Sequence, residues 1–438
     1  MSDTVENIRE AVDRLPVVGA ESTDQGPQNA PGAETFDVLV LDCTLRQSLA
    51  TVRSLGSRGL RVAVLATSER LPACASRWCQ QVFTCPVREG EEAYLPYLEA
   101  LLDRIHVDVL ITSSNSTVPL IHRYRERLER RVRIALPEEP ALSIAINKER
   151  TLEVARRQGI PTPQCVSVRA MSEVDTALAE IGLPAVIKPA ESWTWDEKQQ
   201  GVPLLSRLVT TAAEARRFAA EMERLGTVML FQQFIPGTRE SVSLLYAQGQ
   251  VYARYAQRHL HVVGGQSSIR QSIAVPADIG GYAEQLVRAI DLEGCAEVEF
   301  RRDNDGNPYL MEVNPRLWAS TELAVRSGVD FPYLLYQWAS GAQIDKVESY
   351  HVGGRMRYLP GDVSYVLKAL AGAKQGGQPE AVPPVKALFE FCLAFFLPTG
   401  YDYVDWKDPR PIWTALTGFF RQVGQKVGKS LHHGQSGH

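Results

Sequence analysis

The sequence has no apolar run approaching the ~18 residues needed to span a bilayer. Its opening, MSDTVENIRE, is acidic where a secretion signal would be basic and then apolar. Neither a membrane-spanning nor an exported chain is expected. Cationic excess is also missing. The 47 Lys and Arg against 51 Asp and Glu leave a formal net charge of -4, which offers no general attraction to nucleic acid or to an anionic membrane. The seven cysteines are scattered and odd in number, and the closest set, Cys74, Cys79 and Cys85, lacks paired spacing and neighbouring histidines. Neither a disulfide framework nor a zinc site is indicated, and reduced thiols in a cytoplasmic protein are the expectation. No GxSxG motif and no Cys–His pair points to a side-chain nucleophile. What remains is small-molecule chemistry on a chain of 438 residues, 45% hydrophobic and 22% charged, long enough for two or three domains.

Residues 20 to 34, AESTDQGPQNAPGAE, are rich in Pro, Gly, Ser and Gln, so 1–34 reads as a flexible leader. From there FDVLVLD, the helical-period RQSLATVRSLGSRG and LRVAVLAT form a β-α-β unit, and AYLPYLEALLDRIH with VDVLITSS continues the alternation. The pattern predicts a small doubly wound α/β domain over 35–136, with Ser113 and Ser114 lining its strand-end crevice. Residues 137–340 change to an α+β pattern. Helix NKERTLEVARRQG, strands LPAVIKPA and TVMLFQQFIPG, the paired strands of SVSLLYAQGQVYARYAQ around Gly249 and a helix GGYAEQLVRAIDLEG lead to a hairpin. Beyond 340 the chain turns mainly helical to residue 438. There ALFEFCLAFFLP reads as a core helix. The segment after Pro409, with Arg410, Arg421, Lys426 and Lys429 and no acid, reads as a solvated basic tail, the alternative being contact with a membrane surface or a partner.

The hairpin EVEFRRDNDGNPYLMEVN carries the chemistry. A two-residue type I′ turn at Asp305-Gly306 sets Glu299 opposite Glu312 and Glu297 opposite Asn314, all on one face, with Val298, Phe300, Met311 and Val313 on the other. Opposed carboxylates destabilise a strand pair unless a cation compensates. Oxygen donors without His or Cys suit hard Mg²⁺; the alternative is a solvated face on which Arg301 and Arg316 pair the glutamates.

This stretch resembles the metal-binding end of the ATP-grasp superfamily, and the order of elements agrees over roughly residues 37 to 340. The nearest likeness is to its predicted carboxylate-amine ligases, and more distantly to D-aspartate and D-alanine:D-alanine ligases. GGRMRYLPGDVSYVL and YDYVDWKDPRPI resemble the tail of those predicted ligases. The resemblance implies an ATP-grasp fold with an N-terminal Rossmann-like domain (35–136), a two-lobed ATP-binding region (137–340, hinge near 231–237) and a mainly helical C-terminal extension (341–438).

It further implies ATP and Mg²⁺, two ions, as cofactors, with small-molecule carboxylate and amine substrates. Lys148 and Lys188 match the phosphate-binding lysines. Gln232, Gln233, Phe234 and Ile235 match the adenine hinge. Glu240 is the nearest match for the ribose contact, although the spacing after Gly237 is one residue long and Arg239 competes for that place. Glu299, Glu312 and Asn314 match the metal ligands. Arg316, Arg270 and Arg258 are the candidate catalytic cations; for Arg258 and Arg270 a surface cation is the competing reading. Glu297 departs from relatives that carry arginine there, and AESWTWDEKQQGV, with Gly201 its single glycine, departs from the usual Gly-rich phosphate loop. Trp193 and Trp195 then form a lid, a substrate wall or surface packing, with Lys198 as a phosphate contact. A homodimer is compatible with the family. The implied reaction is acyl-phosphate formation followed by amine attack. A carboxylase- or kinase-type enzyme and a nucleotide-binding scaffold are the rivals.

Overall fold

A computed structural model describes residues 34–196, 198, 200–263, 266–372, 382–419 and 421. The leader up to residue 33 and Lys426 and Lys429 of the basic tail lie outside the described residues. The first apolar runs become strands β1 (Thr35–Val40), β2 (Val62–Ala66), β3 (Gln81–Thr84), β4 (His106–Ile111) and β5 (Arg133–Ile134), an all-parallel sheet ordered β3-β2-β1-β4-β5. Helices α1 (Arg46–Gly56) and α2 (Tyr94–Leu102) belong to its crossovers, and β2 is buried throughout because a parallel sheet is covered on both faces. Strand order reverses between β1 and β4, which opens a crevice beyond their C-terminal ends. At that point Asp42 is fully buried with φ of +60°. Its carboxylate accepts from Thr112 Oγ1 at 2.7 Å, Thr117 Oγ1 at 2.6 Å and the Ser113 backbone N–H at 2.7 Å, the donors a buried carboxylate requires.

Helix α3 (Lys148–Arg157) leads into β6 (Cys165–Val168) and β7 (Ala185–Pro189). Strands β8 (Trp193–Trp195) and β9 (Gly201–Pro203) pair with each other as a separate hairpin. With β10 (Arg207–Val209) and β11 (Met229–Gln233), strands β6 and β7 make a four-stranded antiparallel sheet ordered β10-β7-β11-β6. The larger sheet collects β12 (Thr238–Ala247), β13 (Gln250–Val263), β14 (Gln266–Ile273), β15 (Gly294–Arg302), β16 (Pro308–Asn314), β17 (Arg355–Arg357) and β18 (Thr399–Tyr401), in the order β16-β15-β12-β13-β14-β17-β18. One face of it, through Val242, Leu244, Val298, Phe300 and Leu310, forms an apolar core with Leu152 and Ala155 of α3.

The two-residue turn of I′ type is found in the β12–β13 hairpin, where the sequence also places a turn, and not between β15 and β16. Gln248 and Gly249 have φ of 52° and 74°, and Ala247 pairs directly with Gln250. The β15–β16 connection instead spans 303–307. Asp303 accepts from the backbone N–H groups of Asp305 and Asn307 at 3.0 and 2.8 Å, and Gly306 has φ of 92°. The longer loop slips the pairing by one, Arg302 facing Pro308, and a bulge at Met311 restores it.

The chain beyond 340 is tied into both earlier units. Asp408 is buried and bonds Arg53 Nε of α1 at 3.0 Å, Ser76 Oγ at 2.7 Å and the Arg77 N–H at 2.8 Å. Arg53 also donates to the backbone of Tyr403 and Asp408. No helix among the described residues is long and apolar enough to cross a membrane. Removing one partner of a buried pair leaves the other charge stranded. Asp408→Ala is therefore expected to lower unfolding free energy by ~3 kcal/mol, measured by urea denaturation. A loss within error would show that Arg53 finds water or another partner.

Candidate active site

Strand alternation and the compensating bulge put Glu297 opposite Asn314 and Glu299 opposite Glu312 on the sheet face away from the apolar core. Asn314 Nδ2 lies 3.4 Å from Glu297 Oε2 and 3.3 Å from Glu299 Oε1. Glu297, only 4% exposed, accepts from Ser241 Oγ and Gln257 Nε2 at 3.1 Å each, and Gln257 also reaches Ser320 Oγ at 2.6 Å. Burial, then the neighbouring Glu299 charge, pushes the Glu297 carboxyl up to about 8. Glu297, whose role the sequence left open, thus has a structural partner set, three neutral donors that hold a carboxyl in a dry position.

The cations come from other elements. Lys148 begins α3, where Asn147 caps the helix by accepting from the Arg150 N–H at 3.2 Å. Its side chain is 7% exposed, so it is not a surface lysine, and Nζ donates to Ser192 Oγ at 2.8 Å. Burial lowers the affinity of Lys148 and Lys188 for a proton, Lys188 to about 8, against the pull of Glu312 on both. Burial would raise Glu312, but Lys148, Lys188, Arg239 and Arg316 outweigh it and hold that carboxyl below the usual range. Arg316 donates to Asn314 Oδ1 at 3.1 Å and, through Nε and Nη2, to Asn115 Oδ1 at 2.9 and 2.7 Å. Asn115 stands between Ser114 and Ser116 at the end of β4, so this arginine links the hairpin to the first sheet's crevice.

Next to the acidic row runs a cationic one. Arg301, Arg239, His259 and Arg270 are consecutive cross-strand neighbours on β15, β12, β13 and β14. Arg239 pairs with Glu299 and Arg270 with Asp402, which also bonds Arg46 Nη1 at 2.8 Å. Both ring nitrogens of His259 are shut off from solvent without a hydrogen-bond partner, and burial, then Arg239 and Arg270, holds the imidazole well below its ordinary value. Glu240 and Arg258 do not join this group. One residue from Arg239, Glu240 lies on the opposite face, bonded by Arg258 at 2.9 and 2.7 Å and by Arg302 at 3.2 Å. The place near the metal-ligand candidates belongs to Arg239, the competitor for the Glu240 position in the sequence. Arg258 is half exposed and Arg270 fully buried, so the surface-cation reading fits only the former.

In the segment expected as the hinge, Gln232 is 2% exposed with Nε2 unpartnered, Ile235 is buried, and Phe234 carries the Arg301 guanidinium at 5.4 Å from its ring centroid. Gln233 points to solvent, its Oε1 3.4 Å from the Gln164 N–H. The tryptophan hairpin is docked on the first unit. Trp195 Nε1 donates to Gly90 O at 3.0 Å, and Arg123 lies over its ring. Gly201 is required because a Cβ there would stand 2.0 Å from Trp193 Cζ2. Lys198 is exposed in the hairpin turn, with its N–H on Asp196 Oδ1.

Trp193 separates two cavities. One, about 40 Å³, is lined by Asn115, Lys148, Ser192, Glu312, Asn314 and Arg316. The other, about 290 Å³, is lined by Thr44, Thr67, Arg88, Glu89, Ser114 and Ser116. Glu89 was not among the sequence candidates. It is 8% exposed, with Oε1 unpartnered, and burial, then the Asp42 charge, raises its carboxyl to about 8. Nothing in the run CPVREGEE distinguishes it from a surface acid.

The oxygen donors gathered on the hairpin, the carboxylates of Glu299 and Glu312 and the carboxamide of Asn314, suit a hard divalent cation in type, and of these Glu312 and Asn314 line the smaller cavity. Among the described residues no three Asp, Glu, His or Cys converge in ligating geometry, and Glu299 is turned onto Arg239. The fit therefore requires Glu299 to exchange that arginine for the ion.

A parallel first sheet, two antiparallel sheets and an acidic hairpin facing Lys148 and Lys188 make an ATP-grasp fold, and part of the chain matches a model of that family. A family model described as "ATP-grasp in the biosynthetic pathway with Ter operon" matches residues 226–360. The D-alanine–D-alanine ligase of Chromohalobacter salexigens is 24% identical over 216 residues, 44% of this chain and 64% of the relative, so the match spans a little under two thirds of that protein. The D-alanine–D-alanine ligase of Gloeobacter violaceus is 28% identical over 216 residues, 44% of this chain and 68% of its own. Among solved structures, the ADP complex of N5-carboxyaminoimidazole ribonucleotide synthetase superposes with TM-score 0.58 at 15% identity, over 83% of this chain and 97% of that one. Biotin carboxylase from Campylobacter jejuni gives TM-score 0.59 at 17% identity over 73% and 74%. L-amino acid ligase from Bacillus licheniformis gives 0.56 at 19% over 74% and 79%. At these identities the superpositions show the fold.

Glu89 offers a check on the electrostatics. Its folded-state value, about 8, lies above the ordinary 4.5. The stability it contributes is fully present below the unfolded value and is lost as pH rises through the folded one. Wild-type protein is expected to lose ~3 kcal/mol between about pH 5 and about pH 8 through this group, a slope absent in Glu89→Gln. Urea denaturation at the two pH values measures it; identical slopes in both proteins would refute the assignment.

Proposed function

We propose that the protein is an enzyme, an ATP-dependent ligase that activates a small-molecule carboxylate as an acyl phosphate and joins it to an amine, releasing ADP and phosphate. The supporting observation is the meeting of Glu299, Glu312 and Asn314 from one hairpin, and Arg316 just past it, with Lys148 and Lys188 from two other segments. Phosphoryl transfer needs positioned charge more than a side-chain nucleophile, and this group supplies positioned charge. Lys148 and Lys188 hold the phosphates in this reading, and the adenine lies at the hinge against Gln232, Phe234 and the Ile235 N–H. Glu312, Asn314 and Glu299, freed from Arg239, would hold Mg²⁺, which when bound neutralises charge on the transferred phosphoryl group. Arg316 stabilises the charge where a carboxylate oxygen bonds to the γ-phosphorus as the bond to the β-phosphate oxygen breaks. The amine nitrogen then bonds the acyl carbon, loses a proton, and phosphate leaves.

The smaller cavity, about 40 Å³, has room for little more than a water molecule. Admission of a nucleotide therefore requires the four-stranded sheet and its tryptophan hairpin to move away from the first unit. The larger cavity beyond Trp193 is our proposed amine site, since an ammonium group would satisfy the spare Glu89 oxygen and relieve its unpaired burial. A carboxylase-type reaction is the second reading, supported by the biotin carboxylase likeness of the fold.

Mass spectrometry of acid and amine pools incubated with Mg-ATP separates the two: ADP and a dehydrated acid–amine adduct mark the ligase. ADP released with bicarbonate and no amine marks the carboxylase. Glu312→Ala and Asn314→Ala are each expected to cut ADP formation by about 100-fold or more with the fold intact by circular dichroism. Full activity in both would sink the metal assignment.

A further inference from the structure

The segment ALFEFCLAFFLP, expected in the core, is built inside out. It forms helix α4 (Pro384–Leu393), packed against the helix Leu359–Leu370. Its apolar side chains recur at helical spacing, Val385, Leu388, Phe389, Leu393 and Phe396, and all are exposed, Val385 to 82%, Phe389 to 65% and Phe396 to 85%. The inner face carries one large apolar group, Phe391, packed on Tyr365 and Val366, among small and polar ones. Ala387 is buried, and Glu390 turns inward to Tyr365 OH at 3.3 Å and His261 Nε2 at 3.5 Å. Two more exposed leucines, Leu367 and Leu370, stand on the neighbouring helix, and Trp406 and Trp413 are 85% and 69% exposed further along the chain. A contiguous solvent-facing apolar stripe of this kind marks an interaction surface.

Charge selects the occupant. The acids between 384 and 421 are all committed within the protein: Glu390 as above, Asp402 to Arg46 and Arg270, Asp405 to the Lys407 N–H, and Asp408 to Arg53. The cations Lys386, Lys407, Arg410 and Arg421 are exposed. From 409 to 438 the sequence adds only positive charge, Arg410, Arg421, Lys426 and Lys429. A second copy docked on this face by a two-fold axis would set these cations against themselves. We infer that the face of helix α4 docks on an anionic lipid bilayer, its apolar stripe entering the headgroup boundary and the surrounding Lys and Arg meeting lipid phosphates. The aromatic side chains suit that boundary, where apolar rings and polar surroundings meet. Together with the overall negative charge of the chain, this makes attraction to the membrane a local property of one face.

The test is flotation of the full chain with vesicles of phosphatidylglycerol and phosphatidylcholine in equal parts, and with phosphatidylcholine alone. Wild-type protein is expected to float with the anionic vesicles and at least about tenfold less with the neutral ones. The surface variant Phe389→Ser/Phe396→Ser, and separately Lys386→Glu/Arg410→Glu, should each lose about tenfold or more of that binding while keeping wild-type circular dichroism and Mg-ATP binding. Equal flotation of wild type and both variants, or none on anionic vesicles, overturns the proposal. So does concentration-dependent dimerisation, seen by light scattering and abolished by the phenylalanine variant, since the face would then be covered by a second copy. Capture of an acidic soluble protein in place of vesicles would equally reject the lipid.

Discussion

Two glutamates set directly across a strand pair cannot stand alone at partial burial, and the rest of the molecule is arranged around that constraint. Glu299 and Glu312 face each other on β15 and β16. The compensation arrives from four directions: Lys148 at a helix start, Lys188 on β7, Arg239 on β12 and Arg316 just past the hairpin. Each cation would itself be costly to hold in its position without the acids. The acidic hairpin and the second lobe therefore stabilise one another electrostatically across the cleft, and the cleft closes to a cavity of about 40 Å³. An anionic ligand entering it would meet the lysines only by competing with Glu312, which in the ligase reading proposed above is a physical reason for a divalent cation to accompany the triphosphate.

The fold was legible where hydrophobic period decides it, as in β1, β2, β4 and the helices between them. The hairpin is more instructive, because the register expected for Glu297, Glu299, Glu312 and Asn314 is the register observed, yet the turn that implied it is not there. A five-residue loop shifts the pairing by one residue and the bulge at Met311 shifts it back. Conserving the face of the carboxylates is what the two irregularities jointly accomplish. Where no bulge intervenes, one residue is decisive: Arg239 and Glu240 project to opposite faces of β12, and sequence spacing alone could not choose between them.

Groups brought together by tertiary packing were not legible. Glu89 lies in a loop of ordinary polar composition, and only the meeting of the first sheet's crevice with Trp193 makes it a buried, half-satisfied acid. Likewise Asp402 and Asp408 belong to a stretch that reads as irregular, and their partners, Arg46, Arg53 and Arg270, are more than a hundred residues away. Helix α4 shows the converse failure. Its apolar period was plain in the sequence, but period tells which residues share a face and not whether that face meets protein or solvent.

Trp193 couples what would otherwise be two independent sites. Its ring forms part of the wall of both cavities, and its position is fixed by close contact with Gly201 in its own hairpin and with Gly90 in the first unit. Any motion that opens the smaller cavity by lifting the hairpin must also withdraw Trp195 from Gly90 O and Arg123, and so opens the Glu89 side too. The two cavities can fill through one movement, and closure over one presents a completed wall to the other. In place of a Gly-rich turn, the glycine-poor loop thus supplies rigid aromatic packing, which joins the cavity beside Lys148 and Glu312 to the crevice of the parallel sheet.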